Sequence, residues 1–110
     1  MEVIWSDMSL QHMKEIAQYV AGNFGQKTAV DSLLRIQKKA NGLVKFPEQG
    51  VLERKYSTNE YTVHHINVDS NVIYYMVYPD AIVIGVIVHQ KQSPKTVDAI
   101  LKRFLEHYER

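Results

Sequence analysis

The sequence predicts an α+β domain, two layers in which an N-terminal strand and an antiparallel helical hairpin pack on a four- to five-stranded, mostly antiparallel sheet, with a helix at the C-terminus. Three observations lead there. Apolar residues recur every three or four positions up to about Leu43. After Gly50 the period changes to two, in segments rich in Val, Ile and Tyr. From Ser93 the helical period returns.

Val3 to Trp5 reads as a short strand, after which Ser6 or Asp7 is placed to cap a helix by accepting from the orphan N–H groups of its first turn. Leu10, Met13, Ile16, Ala17 and Val20 share one face of that helix, which is expected to end near Gly22. Gly22 and Gly25 supply a permissive connection. A second amphipathic helix follows, with Ala29, Val30, Leu33, Leu34, Ile36, Ala40 and Leu43 inward and Lys38 and Lys39 outward. A short loop between two periodic stretches makes an antiparallel pair.

Phe46-Pro47-Glu48-Gln49-Gly50 stops the helix, because proline lacks a donor and disfavours helical geometry before it. Strands are expected over 51–56, 61–68, 72–78 and 81–90, joined by short polar connections that suit antiparallel neighbours. Along 72–78, Val72, Tyr74, Met76 and Tyr78 share one face and Ile73, Tyr75 and Val77 the other. The last strand, Ala81 to Val88, is apolar on both faces and therefore central and covered on both sides. The cover for its second face is the C-terminal helix, 94–108, with Ser93 as cap, Pro94 in the first turn and an apolar stripe of Val97, Ile100, Leu101, Phe104, Leu105 and Tyr108.

At 110 residues the chain is one domain, 1–110, of ordinary globular composition. With no Cys, it has no disulfide, thiolate metal site or cysteine nucleophile, and nothing points to an oxidising compartment. Met-Glu-Val-Ile-Trp does not read as a signal peptide, and the longest apolar run is far short of the roughly 20 residues that span a bilayer. A soluble cytoplasmic protein without membrane association is expected. The formal net charge of +1 conceals its distribution. Residues 1–25 carry −2; residues 26–45 set Lys27, Arg35, Lys38, Lys39 and Lys45 against Asp31 alone, +4; residues 89–103 set Lys91, Lys95, Lys102 and Arg103 against Asp98, +3. Such localised basic surface suits an acidic protein tail better than a long nucleic acid.

Chemistry-bearing residues are few. Gly22 and Gly25 lack the strand-loop-helix context of a phosphate loop, so no nucleotide cofactor is implied. His64 and His65, adjacent on a strand, point to opposite faces and cannot share a metal; no metal site is expected, and exposed strand histidines or a proton shuttle are the readings open to them. His89 and Lys91 close the last strand, where a rigid scaffold presents reactive groups. With Glu53, Arg54 and Lys55 they are the residue types that metal-independent RNA cleavage needs: a base, an acid and cations for a charged phosphorane. The sheet tyrosines suit cross-strand packing, base stacking, or a partner segment laid across the sheet.

The order of elements and several residue groups together resemble the ParE/RelE family of toxins from bacterial type II toxin–antitoxin modules. The resemblance spans Val3 to about Pro94. It rests on Ile4-Trp5-Ser6 leading into a helix with Ile16 and Tyr19, Phe24-Gly25 and Ala29, Leu43 with Phe46-Pro47 and Gly50, Val72-Ile73-Tyr74-Tyr75, and Val88-His89-Gln90-Lys91-Gln92-Ser93-Pro94. The closing run is most similar to the ParE branch. The resemblance implies a growth-inhibiting toxin silenced by an antitoxin whose disordered tail folds onto it, in a complex that represses its own operon by binding operator DNA through the antitoxin.

Two activities divide the family: RelE-like members resemble ribosome-dependent ribonucleases that cut messenger RNA, whereas ParE-like members inhibit DNA gyrase by binding. RelE-like members place an arginine where Asn71 or Val72 stands here, and an arginine or tyrosine where Gln92 and Ser93 stand. Those departures favour the ParE-like alternative, with Arg54, Lys55, His89 and Lys91 contacting target or phosphate and Tyr74, Met76, Phe104 and Leu105 meeting the antitoxin. The ribonuclease alternative uses His89 or His65 as acid and Glu53 as base. A third alternative is a non-toxic fold relative that only binds antitoxin.

Overall fold

The computed structural model describes residues 1–110. Strand β1 (Glu2–Trp5) runs into helix α1 (Asp7–Phe24), and Ser6, extended at φ −67°, ψ 157°, caps the helix by accepting the Ser9 N–H at 2.9 Å. Of the two expected caps, Ser6 is the one used. α1 runs past Gly22 to Phe24, because a single residue, Gly25 at φ 96°, makes the connection to α2 (Gln26–Gly42). Its N–H closes α1 on the Ala21 carbonyl.

The segment 51–56, expected as a strand, is a strand only at β2 (Val51–Leu52) and then coils into a 3-10 turn at Arg54–Tyr56. The sequence there, Glu53-Arg54-Lys55, has no alternating apolar face to hold a sheet position. The remaining strands are β3 (Thr62–Val68), β4 (Asn71–Val77) and β5 (Ala81–His89), followed by helix α3 (Pro94–His107), capped by Ser93. The sheet order is β1-β5-β4-β3-β2; every neighbouring pair is antiparallel except β1 with β5, which are parallel.

β5 lies between β1 and β4, and all its residues from Ala81 to Val88 are buried. One face packs under the hairpin, where Met13, Ile36, Ala40 and Leu43 meet Ile73, Tyr75, Ile82, Ile84 and Ile87. On the other, Leu101 and Phe104 of α3 meet Val63, Met76, Val83 and Val86. The sheet is thus sandwiched, with the single helix α3 forming a third, partial layer. Each fully buried Ile or Val side chain contributes roughly 1.5–3 kcal/mol of burial energy.

A bulge decides which side chains meet α3. Tyr74 pairs with Val86 and Tyr75 with Ile84, leaving Gly85 as the extra residue. The shift sends Val86 and Val88 to the α3 face and Ile87 to the hairpin face. A Cβ at Gly85 would stand 2.9 Å from the Phe104 ring, so glycine is what lets α3 approach.

Some helix residues expected inward are exposed: Leu10 on α1, Val30 and Leu34 on α2. They lie at the edge of each apolar stripe, and the sheet is only wide enough to cover its centre. No helix is long and apolar enough to cross a membrane.

Candidate functional site

The strand ends beside α3 gather most of the candidate residues. The 3-10 turn after β2 carries Glu53 back over β3, where its Oε1 lies 2.7 Å from His65 Nδ1. The His65 ring tilts against Tyr74, centroids 5.5 Å apart. Burial, and next the Glu53 charge, push the Tyr74 hydroxyl above its ordinary pKa. Glu53, Tyr74 and His89 line one small cleft of about 280 Å³ with Tyr56, Gln92 and Val97. His89 is exposed at the end of β5, and its Nδ1 accepts the Lys91 N–H at 3.0 Å, which puts the ring proton of the neutral form on Nε2.

The cations do not join this cleft. Lys55 points to α3 and pairs with Asp98 at 2.9 Å, which also holds Lys102 at 3.2 Å and accepts from the Tyr56 hydroxyl. These donors, Tyr56 first and Lys55 second, hold the Asp98 carboxyl well below the usual carboxylate range. Burial and the bond to Asp98 push the Tyr56 hydroxyl far above its own. Arg54 and Lys91 are exposed, form no ion pair and do not line the cleft.

His64 is the correction to the sequence reading: it is not an exposed strand histidine but only 3% exposed. It lies under the Phe46–Gly50 turn, stacked on Tyr75 with centroids 5.4 Å apart and 3.0 Å from Thr62 Oγ1. It pairs in register with Leu52 of β2. His65, on the opposite face, is the accessible one. Of the residues expected to meet an antitoxin, Met76 and Phe104 are buried between sheet and α3, while Tyr74 and Leu105 are half-buried at the margin. A partner reaches the first two only with α3 lifted.

Sequence reasoning missed the largest cleft, about 680 Å³, between the C-terminal half of α1 and the ends of β4 and β5. Ile16, Val20, Ile87 and Ile100 form its apolar floor, and Tyr19 and Phe24, 63% and 64% exposed, stand on its wall. Here β5 has outrun β1, whose pairing stops at Ile84. Side chains of α1 replace the missing strand: Ser6 Oγ donates to the Gly85 carbonyl at 2.7 Å and His12 Nδ1 accepts the Ile87 N–H at 3.0 Å. Desolvation lowers the His12 pKa, opposed by the Glu15 charge. His12 borders the Met13–Ile16 stripe in sequence, a weak signal for a role that depends on a strand 75 residues away.

The sequence matches the family model described as ParE toxin of type II toxin–antitoxin system, parDE, over residues 3–94, and the chain belongs to that family. No curated protein sequence matches it. Among solved structures it resembles a chain described as the chromosomal ParDE TA system from P. aeruginosa, with TM-score 0.67 and 16% identity, covering 81% of this chain and 95% of that one.

Proposed function

We propose that this ParE-family chain is a growth-inhibiting toxin that acts by binding its target, DNA gyrase, and is neutralised by a cognate antitoxin. The observation that carries binding over catalysis is the dispersal of the cations. Lys55 is committed to Asp98, and neither Arg54 nor Lys91 lines the cleft of Glu53 and His89. Charge on a phosphorane needs fixed donors aimed at it. Exposed Arg54, His89 and Lys91 serve instead as a target-facing surface. The antitoxin takes the apolar cleft on whose wall Tyr19 and Phe24 stand exposed. Repression of the operon runs through the antitoxin's own contact with operator DNA.

Induced expression should arrest growth, co-expression of the antitoxin should restore it, and purified protein should inhibit gyrase supercoiling while leaving messages intact in a translation extract. Tyr19→Asp with Phe24→Asp should remain toxic yet escape neutralisation. Control-rate growth together with tight antitoxin binding would select a non-toxic relative.

A second reading has one observation in its favour: the 2.7 Å pairing of Glu53 with His65, with His89 lining the same cleft as Glu53. These are the base and acid of a metal-independent endoribonuclease. Cut messages in the extract, lost in His65→Ala and His89→Ala, would establish it.

A further inference from the structure

The far edge of the sheet carries a feature that none of the above uses. β2 pairs with β3 only at His64 and His65, so β3 from Ile66 to Val68 has a neighbour, β4, on one side alone. The Val63 carbonyl accepts from Glu53 N–H at 2.7 Å on the β2 side. Backbone groups alternate along a strand, so His65 and Asn67 present both N–H and C=O to that side as well. At His65 the partner is Val51; at Asn67 the chain opposite has already bent away, because Gln49 turns back to bond the Phe46 carbonyl. Asn67 therefore offers one donor and one acceptor along an open edge.

Over this edge stands the most basic stretch of the molecule. Arg35, Lys38 and Lys39 of α2 line a shallow pocket of about 470 Å³ with Gln49, Asn67 and Asp69. Asp69, held at φ 55° in the β3–β4 turn, satisfies Arg35 at 2.8 Å. Lys38 and Lys39 are exposed and form no ion pair. An unpaired edge normally carries a feature that discourages strand addition. Here Asp69 is taken up by Arg35, and the two charges left without a partner, Lys38 and Lys39, are both positive, so they repel a basic strand and attract an acidic one.

We propose that this edge is a docking site for an extended acidic segment of a partner protein, which adds to β3 through the N–H and C=O of Asn67 while its carboxylates meet Lys38 and Lys39. A polypeptide supplies both the acceptor and the donor that the edge requires. A DNA strand supplies phosphate acceptors but no backbone donor, and two lysines neutralise too few phosphates to hold either DNA or RNA. The site lies at the opposite end of the sheet order from β1 and β5, is separate from the clefts at His12 and His89, and does not depend on whether gyrase is the target.

The test is titration of 15N-labelled full-length protein with acetyl-(Glu-Thr)5-amide, against acetyl-(Gln-Thr)5-amide and a 20-nucleotide single-stranded DNA. The acidic peptide should shift amides around Asn67 and along α2 near Lys38 and Lys39. Its affinity should fall about tenfold in Lys38→Glu/Lys39→Glu, and by a similar factor between 50 and 300 mM NaCl. Asn67→Pro removes the outward N–H but leaves the ladder to β4 intact, since that N–H faces away from it. It should lose about tenfold in affinity with an unchanged melting curve, whereas Asn67→Ala should bind as wild type. Wild-type affinity in a folded Asn67→Pro, shifts centred elsewhere, equal binding of the neutral peptide, or tighter binding of the DNA at these residues would each overturn the proposal.

Discussion

Removing one hydroxyl, Ser6→Ala, should destabilise the domain far more than its size suggests, because that oxygen serves two elements at once. It accepts the Ser9 N–H at 2.9 Å as the cap of α1 and donates to the Gly85 carbonyl at 2.7 Å, at the bulge where β5 loses β1 as a neighbour. Loss of a cap costs about 1 kcal/mol. Ser6 is buried, so the Gly85 carbonyl gains no water in exchange, and an unsatisfied buried acceptor adds roughly 1–3 kcal/mol. The total, about 2–4 kcal/mol, is a large part of the roughly 5–15 kcal/mol that holds a domain together. Ser93→Ala is the internal control: Ser93 is exposed and caps α3 through the Thr96 N–H at 3.2 Å, with no second structural element attached, so it should cost only about 0.5–1 kcal/mol. Urea unfolding of both variants, with slopes near those expected for a small domain, should lower the Ser6→Ala midpoint by about 1–2 M and the Ser93→Ala midpoint by less than half as much. Equal losses would refute the Gly85 bond as an independent contribution.

Gly85→Ala should lower the melting temperature by roughly 5–15 °C, since the new methyl meets the Phe104 ring at 2.9 Å and the Tyr74 carbonyl at 3.2 Å in a filled core; differential scanning calorimetry reads it, and an unchanged melt would mean that α3 yields easily. His12 titrates below its ordinary value in the folded protein, so its contribution is complete above the unfolded value of about 6.5 and is lost as pH falls through the folded value. Glu15, which lines the same cleft, opposes that loss. The stability difference between pH 7.5 and 5.0 should therefore shrink in His12→Gln, by at most about 1.4 kcal/mol per pH unit, and identical pH slopes would exclude His12 as the responsible group. Asp98→Ala removes the acceptor shared by Tyr56, Lys55 and Lys102, and hydrogen exchange in α3 should accelerate about tenfold while exchange in β5 stays slow.

The elements that were legible in the sequence are those whose signal is local. A cap at Ser6 or Asp7, another at Ser93, a glycine connection within Gly22 to Gly25, and the apolar run of β5 each follow from a few neighbouring residues and the steric rules they obey, while the structure chose Ser6 and Gly25. Where the signal depended on the width of the opposing surface it misled, as with Val30 and Leu34, whose apolar character does not reveal that the sheet stops short of them. The segment after Leu52 misled differently: valine and leucine begin it as a strand, but Glu53, Arg54 and Lys55 present no alternating apolar face to the sheet and coil instead.

For the site, the sequence determined which residue types were present, that no cysteine chemistry was possible, and that basic charge is concentrated on the second helix and around the last strand end. Only the tertiary structure decided which of them act together. It joined Glu53 to His65, turned His64 into the core, tied Lys55 to Asp98, and opened the cleft at His12 and the edge at Asn67. The physical reason is that charge and hydropathy are properties of single residues, readable one at a time. A shared hydrogen bond, an unpaired strand edge or a neutralised lysine is a property of two segments, and is fixed only once the bulge, the hairpin and the terminal helix have set their separation.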